Sequence, residues 1–240
     1  MTTSSTNVDP REIANFDRLA AQWWDPRGEM RALHAINAPR VRYIADCLGG
    51  ASRLQGLKAL DVGCGGGLLT EALASAGADA LGIDLAADAL AVAEGHAKQT
   101  GNAARYRQIA AEDLAAAQPQ QFDLVCCMEM LEHVPEPSAV VAACAQLLKP
   151  GGTLVLSTIN RNPKSFALMI VGAEYVLNLV PRGTHTYEKF IKPSELDAWS
   201  RAAGLDVVGL RGLQYNPLLQ SASLSSDVDV NYLMHCTRPA

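Results

Sequence analysis

Four glycines in five residues, Gly63-Cys64-Gly65-Gly66-Gly67, follow the run Leu60-Asp61-Val62 and lead directly into Leu68-Leu69 and an alanine-rich stretch. Residues without a Cβ open backbone conformations closed to other side chains and let a ligand lie directly on the main chain. A strand, a glycine loop and a helix in that order form one unit of an open α/β sheet, whose ligands bind beyond the carboxyl ends of the strands. The flanking pattern agrees. Short apolar runs predict strands at Lys58–Val62, Asp79–Ile83, Arg105–Ile109, Phe122–Met128 and Thr153–Ile159, with helices at about 67–75, 87–100 and 138–148 between them. A further helix is expected at Pro193–Ala203, and closing strands at Leu205–Leu210 and Val228–Cys236.

Upstream, Pro10 opens an amphipathic helix over Arg11–Trp24, with Ile13, Phe16, Leu19, Ala20 and Trp23 at helical spacing. A second helix is expected from Asn37 or Pro39 to Leu48, stopped by Gly49-Gly50. The chain thus divides into a polar tail at 1–9, N-terminal helices at 10–56, and an α/β domain at 57–240 carrying an insertion at about 160–192.

Composition narrows the partners. A formal charge of −5 argues against a nucleic-acid binder, because phosphate affinity needs clustered lysine and arginine. The 6 cysteines form no C-x-x-C pair, which suits a reducing compartment rather than disulfides or structural zinc. No run reaches the roughly 18 apolar residues that a bilayer span requires, and Met1–Asn15 lacks the apolar core of an export signal.

Three ligands compete for the glycine loop. A nucleoside triphosphate loop needs Lys-Ser/Thr after its last glycine, where this chain has Leu68 and Leu69. A dinucleotide fingerprint needs glycine at position 68, so leucine there opposes a nicotinamide oxidoreductase. S-adenosylmethionine has no phosphate and carries cationic sulfonium and ammonium groups, which suits a loop flanked by acids. Asp61 and the backbone of Gly63 and Gly65 would face its amino-acid part. Asp84, ending the second strand, would take the ribose hydroxyls, and Glu112 or Asp113, after the third strand, the adenine amino group.

The fourth strand runs into Met128-Glu129-Met130-Leu131-Glu132-His133-Val134-Pro135 at the same sheet edge. If the chain turns helical there, Glu129 shares a face with Glu132 and His133 at i,i+3 and i,i+4. Two chemistries fit. His133, titrating near neutrality, is a candidate general base beside Glu129; alternatively, Glu129, Glu132 and His133 hold Mg²⁺ or another divalent cation that acidifies a phenolic substrate.

These segments, with Trp23-Trp24-Asp25, Gly172-Ala173-Glu174-Tyr175, Phe190-Ile191-Lys192-Pro193 and Val228-Asp229-Val230-Asn231-Tyr232, resemble the ubiquinone-biosynthesis O-methyltransferases over nearly the whole chain. The resemblance implies a class I methyltransferase fold, a Rossmann-like three-layer α/β sandwich with a mostly parallel seven-stranded sheet and an antiparallel closing strand. It implies S-adenosylmethionine as methyl donor, held by Arg40, Gly63, Asp84 and Met128. It also implies polyprenylated phenol and catechol acceptors methylated at two steps, and a place in a biosynthetic complex. The rivals are a class I methyltransferase with another small or lipid acceptor, and a non-catalytic donor-binding scaffold.

From Phe166 to Val180 only Glu174 and Asn178 are strongly polar. Between Arg161 and Lys192, 5 basic residues outnumber 2 acids. An apolar helix too short to span a bilayer and flanked by cations fits a lid over a greasy substrate and a patch for anionic lipid, so residues 165–182 are expected to meet the membrane surface peripherally. The expected location is cytoplasmic, at the inner face of the membrane.

Overall fold

The computed structural model describes residues 7–168 and 186–240. Helix α1 (Pro10–Leu19) starts on the Asp9 side chain, which accepts from the Arg11 amide, and passes through a 3₁₀ turn at Ala20–Gln22. Helix α2 (Arg31–Cys47) follows, then β1 (Lys58–Val62), α3 (Leu68–Ser75), β2 (Asp79–Asp84), α4 (Ala87–Thr100), β3 (Arg105–Gln108) and α5 (Ala111–Ala117). The chain continues through β4 (Phe122–Met128), α6 (Pro137–Leu147), β5 (Leu148–Ile159), the short α7 (Pro163–Ser165) and α8 (Pro193–Ala202). It ends with β6 (Asp206–Asn216), β7 (Ser221–Ser225) and β8 (Asn231–Thr237).

The strands form one sheet of order β3-β2-β1-β4-β5-β8-β6-β7. The first five run parallel, and β8 enters antiparallel between β5 and β6. Helices cover both faces, as the parallel core requires. Leu114, Val141, Leu147 and Leu196 bring α5, α6 and α8 onto one face; Ile36, Ile44, Leu69 and Leu73 bring α2 and α3 onto the other. A third apolar cluster joins Leu19 and Trp23 to Leu68 and Ala89, seating α1 over the amino end of α4.

The sandwich is the expected one in outline, but several elements differ: the first helix ends at Leu19 rather than Trp24, and β6 runs on to Asn216, past the expected end at Leu210, because β7 pairs with its second half. The sheet has eight strands: β7 is a serine-rich strand without the branched side chains that announce a strand, and it is recruited as the second arm of a hairpin with β6. Strand β5 begins at Leu148 instead of Thr153, because Leu148 pairs with Phe122 across a register shift. Helix α2 starts at Arg31 and keeps Pro39 inside. An internal proline costs about 3 kcal/mol, yet Ile36, Arg40, Tyr43 and Ile44 are buried along one stripe, and that packing carries the helix through it. Helix α5 is a short alanine-rich turn after β3 that apolar periodicity did not reveal. Most of the expected lipid-contacting insertion, including Gly172-Ala173-Glu174-Tyr175, lies at 169–185, outside the described residues. Among the described residues no helix is long and apolar enough to cross a membrane.

Candidate active site

The carboxyl ends of β1, β2 and β4 open into a cavity of about 1100 Å³ that α1 and α2 roof over. Its floor is the glycine loop. Gly63, Gly65 and Gly67 all have positive φ, at 72°, 51° and 89°. A Cβ on Gly65 or Gly66 would strike the Trp23 indole at 2.1 or 2.2 Å. Trp24 Nε1 donates to the Gly66 carbonyl at 2.9 Å, so the segment after α1 is tied to the loop as well as packed on it.

Gly66 lies outside the positive-φ set, so an alanine there tests the contact with Trp23 free of backbone strain. Forcing an extra carbon into a packed site costs about 1–3 kcal/mol, and each kcal/mol shifts Tm by about 2–4 °C in a chain of this size. Gly66→Ala should therefore lower Tm by several degrees in a thermal melt; an unchanged Tm would show that Trp23 is not seated on the loop.

The acids expected beside the loop are present. Asp84 accepts from the Gly65 amide at 2.8 Å and from the amides of Leu85 and Ala86 at 2.7 and 2.9 Å, which fixes its carboxylate at the cavity wall. Burial raises its pKa, against those three amides, which lower it. Asp61 is buried and accepts from the Thr70 hydroxyl at 2.7 Å; burial pushes it up to about 6. Met128 and Glu112 also line the cavity. Asn7 donates to Glu112 at 2.9 Å, drawing the segment before α1 across that end. Asp113 is exposed and does not reach the cavity, because Ala111, Leu114 and Ala115 face the core and turn it outward.

Arg40 is the group that most clearly asks for a ligand. Its side chain is 6% exposed, and Nη2 lies 3.3 Å from Glu129 Oε1, yet neither Nε nor Nη2 has a hydrogen-bond partner. A buried guanidinium with idle donors is costly unless an anion completes it. Together with the loop, whose glycines a Cβ would obstruct, and with Asp84, this fits the carboxylate, amino-acid backbone and ribose of S-adenosylmethionine.

At the end of β4, Glu129 has φ 51°, a left-handed conformation that few side chains adopt and that clusters at functional sites. Its carboxylate accepts from the Ser157 hydroxyl at 2.7 Å and from Asn231 Nδ2 at 3.2 Å. Glu132 is buried and accepts from the Thr158 hydroxyl at 2.7 Å; burial, reinforced by the charge of Glu129, pushes it up to about 7. His133 turns elsewhere: Nδ1 meets Glu12 Oε2 of α1 at 3.1 Å, and its ring packs edge-on against Phe16. Lys189 donates to the other Glu12 oxygen at 2.7 Å.

The expected metal triad is therefore not assembled in this arrangement. Glu129, Glu132 and His133 are held by three different sets of partners, and among the described residues no group of three such side chains is placed to share an ion. Sequence reasoning missed Glu12, which lies 121 positions from His133; the one local signal was an acid on the apolar stripe of α1, a turn from Phe16 and facing the cavity. It also missed Ser157 and Thr158, which read as ordinary strand residues.

Residues 60–156 match a family described as "Methyltransferase domain". Over 233 residues the chain is 57% identical to the ubiquinone biosynthesis O-methyltransferase of Leptothrix cholodnii, covering 97% of this chain and 98% of that one. It is 55% identical over 235 residues to the protein of that name from Pseudomonas syringae pv. tomato, covering 98% and 100%. Among solved structures, magnesium protoporphyrin IX methyltransferase from Synechocystis PCC 6803 with bound SAH superposes with a TM-score of 0.70 at 20% identity, covering 94% of each chain. A possible histamine N-methyltransferase from Thermotoga maritima gives 0.66 at 16% identity, covering 95% of this chain and 99% of the other.

Proposed function

The chain belongs to the ubiquinone biosynthesis O-methyltransferases, and we propose that it methylates ring hydroxyls of polyprenylated phenols and catechols at both O-methylation steps of that synthesis. It is an S-adenosylmethionine-dependent O-methyltransferase. The observation that carries the donor site is Arg40, a buried cation with idle donors above a glycine loop.

Bound there, S-adenosylmethionine supplies an electrophilic methyl group on a good leaving group. Arg40 would hold the donor's carboxylate, and the Gly63 and Gly65 backbone with Asp61 its amino-acid part. Asp84 would take the ribose hydroxyls, and Met128 and Glu112 the adenine. With Nδ1 of His133 engaged by Glu12, Nε2 is the ring nitrogen left to accept the phenolic proton. Glu129, bridging Arg40 and Asn231, positions the acceptor end. Trp23 and α1 exclude water from the reacting groups.

The deciding assay is methyl transfer to a polyprenyl catechol, run with and without chelator and followed by divalent-ion add-back. Absence of transfer would sink the reading. Activity indifferent to chelator assigns deprotonation to His133. Loss to chelator that an added ion restores would assign it to a cation held by Glu129, Glu132 and His133 once they release Ser157, Thr158 and Glu12.

Residues 165–182 support peripheral contact with anionic lipid, on their apolar sequence and basic flanks. Flotation with vesicles containing anionic lipid should carry the protein upward, and deletion of the segment should abolish that; undiminished flotation of the deletion variant would overturn the contact.

A further inference from the structure

The cavity is larger than one ligand requires. A pocket for one drug-sized ligand measures about 300–1,000 Å³, and this one, at about 1100 Å³, continues past the glycine loop between α2 and the β6–β7 hairpin to the hairpin's tip. That tip reads Asn216-Pro217-Leu218-Leu219-Gln220, although hairpin turns ordinarily carry small or polar residues. Leu218 is 88% exposed and Leu219 74%, and both line the same cavity as Gly63 and Asp61. Their display is fixed: the Asn216 side-chain oxygen accepts from the Leu218 and Leu219 amides at 3.0 and 3.1 Å. Leu168, 52% exposed, lines the same cavity.

Further in, the lining changes. Leu213 is buried against the α2 side of the sheet, and Tyr215, two residues on and on the same face, packs beside it. The Tyr215 hydroxyl is buried and has no hydrogen-bond partner, and Asn231 leaves its side-chain oxygen without one while its amide serves Glu129. An oily mouth, an apolar wall and two idle polar groups in the lining, one of them on Asn231 beside Glu129, make the profile of an amphipathic ligand with a long hydrocarbon tail and an oxygenated head.

We propose that this channel is the acceptor subsite: the isoprenoid tail lies along Leu213 and exits over Leu218 and Leu219, and the Tyr215 hydroxyl hydrogen-bonds a ring oxygen. The assignment rests on the polyprenyl acceptor proposed above and adds the residues that select it. Continuity of the tip with the donor cavity favours the substrate tail as occupant over a lipid surface.

The test compares Leu218→Ser/Leu219→Ser and Tyr215→Phe with the wild type on two catechols, one bearing three isoprene units and one a methyl group, each dispersed without vesicles and, in a second arm, presented in vesicles. Losing the burial of one to two methylenes corresponds to about a 10-fold change. The double variant should therefore lower the kcat/KM ratio of prenylated to tail-less acceptor about tenfold, with donor affinity as the check on folding. Tyr215→Phe should lower kcat/KM for both acceptors alike, by about 3- to 10-fold, the size of one neutral hydrogen bond. An unchanged ratio in the double variant overturns the tail subsite, and so does a loss that appears only when the acceptor is presented in vesicles, which would assign the tip to lipid. Wild-type protein that methylates neither catechol overturns the acceptor reading itself.

Discussion

Replacing Arg40 with methionine raises the donor dissociation constant by about 30- to 150-fold, because a hydrogen-bonded charge pair contributes about 2–3 kcal/mol. Methionine keeps most of the aliphatic stem, so the stripe of α2 that holds Ile36, Tyr43 and Ile44 against the sheet stays packed. The unliganded protein should lose little stability, and this separates binding from folding. Arg40 is buried with two idle nitrogens, and Glu129 retains Ser157 and Asn231 as donors when the guanidinium is gone. What disappears is the rise in Tm on adding S-adenosylmethionine, which follows the ratio of ligand concentration to Kd. Calorimetric titration and a thermal melt with and without donor read both quantities. Donor affinity within about threefold of wild type, less than one neutral hydrogen bond is often worth, would remove Arg40 from the site.

The parallel core was legible because its strands are buried on both faces and so read as apolar runs: β1, β2 and β4 fall within a residue of their expected bounds. The glycine loop was legible because positive φ at three of its positions is a local demand that only glycine meets cheaply. Elements whose existence depends on a partner were not. Strand β7 is a strand because β6 lies beside it, and α2 runs through Pro39 because the sheet face beneath it buries one stripe. The site divides the same way. Asp84 is placed by its own strand and by amides within two residues or across the loop, so its place at the cavity wall could be read from position alone. Glu129, Glu132 and His133 are adjacent in sequence but are pulled to Ser157, Thr158 and Glu12 by tertiary structure. Their spacing suggested a common ion, and their partners separate them.

The second large effect is expected at His133. His133→Ala should lower kcat by about 10²- to 10⁴-fold, the range for a lost general base, while donor affinity stays near wild type; full activity of this variant would exclude the histidine from the mechanism. The pH dependence follows from its surroundings. Burial pulls the imidazole pKa down, but the hydrogen bond it donates to Glu12 and then the charges of Glu132 and Glu12 outweigh it, with Lys189 opposing, so it sits above the ordinary value of 6.5. Glu12 itself is held down at about 2, first by its bond to His133, and stays ionised throughout the working range. A base acts only when deprotonated, so kcat should rise with pH through a point above 6.5. Glu12→Gln should move that limb to lower pH, and a limb indifferent to this change would show that another group titrates. Linkage carries the same sign into stability. A pKa raised on folding stabilises the fold fully below the unfolded value and loses that contribution as pH climbs through the folded one. The ion pair that fastens α1 over the cavity is therefore strongest in acid, where His133 is charged and unable to act as a base, and it weakens over the interval in which His133 gains the lone pair the reaction needs. The proton that strengthens the Glu12–His133 pair is thus the one that blocks the base at Nε2, while Lys189 holds Glu12 and Asp9 in either state.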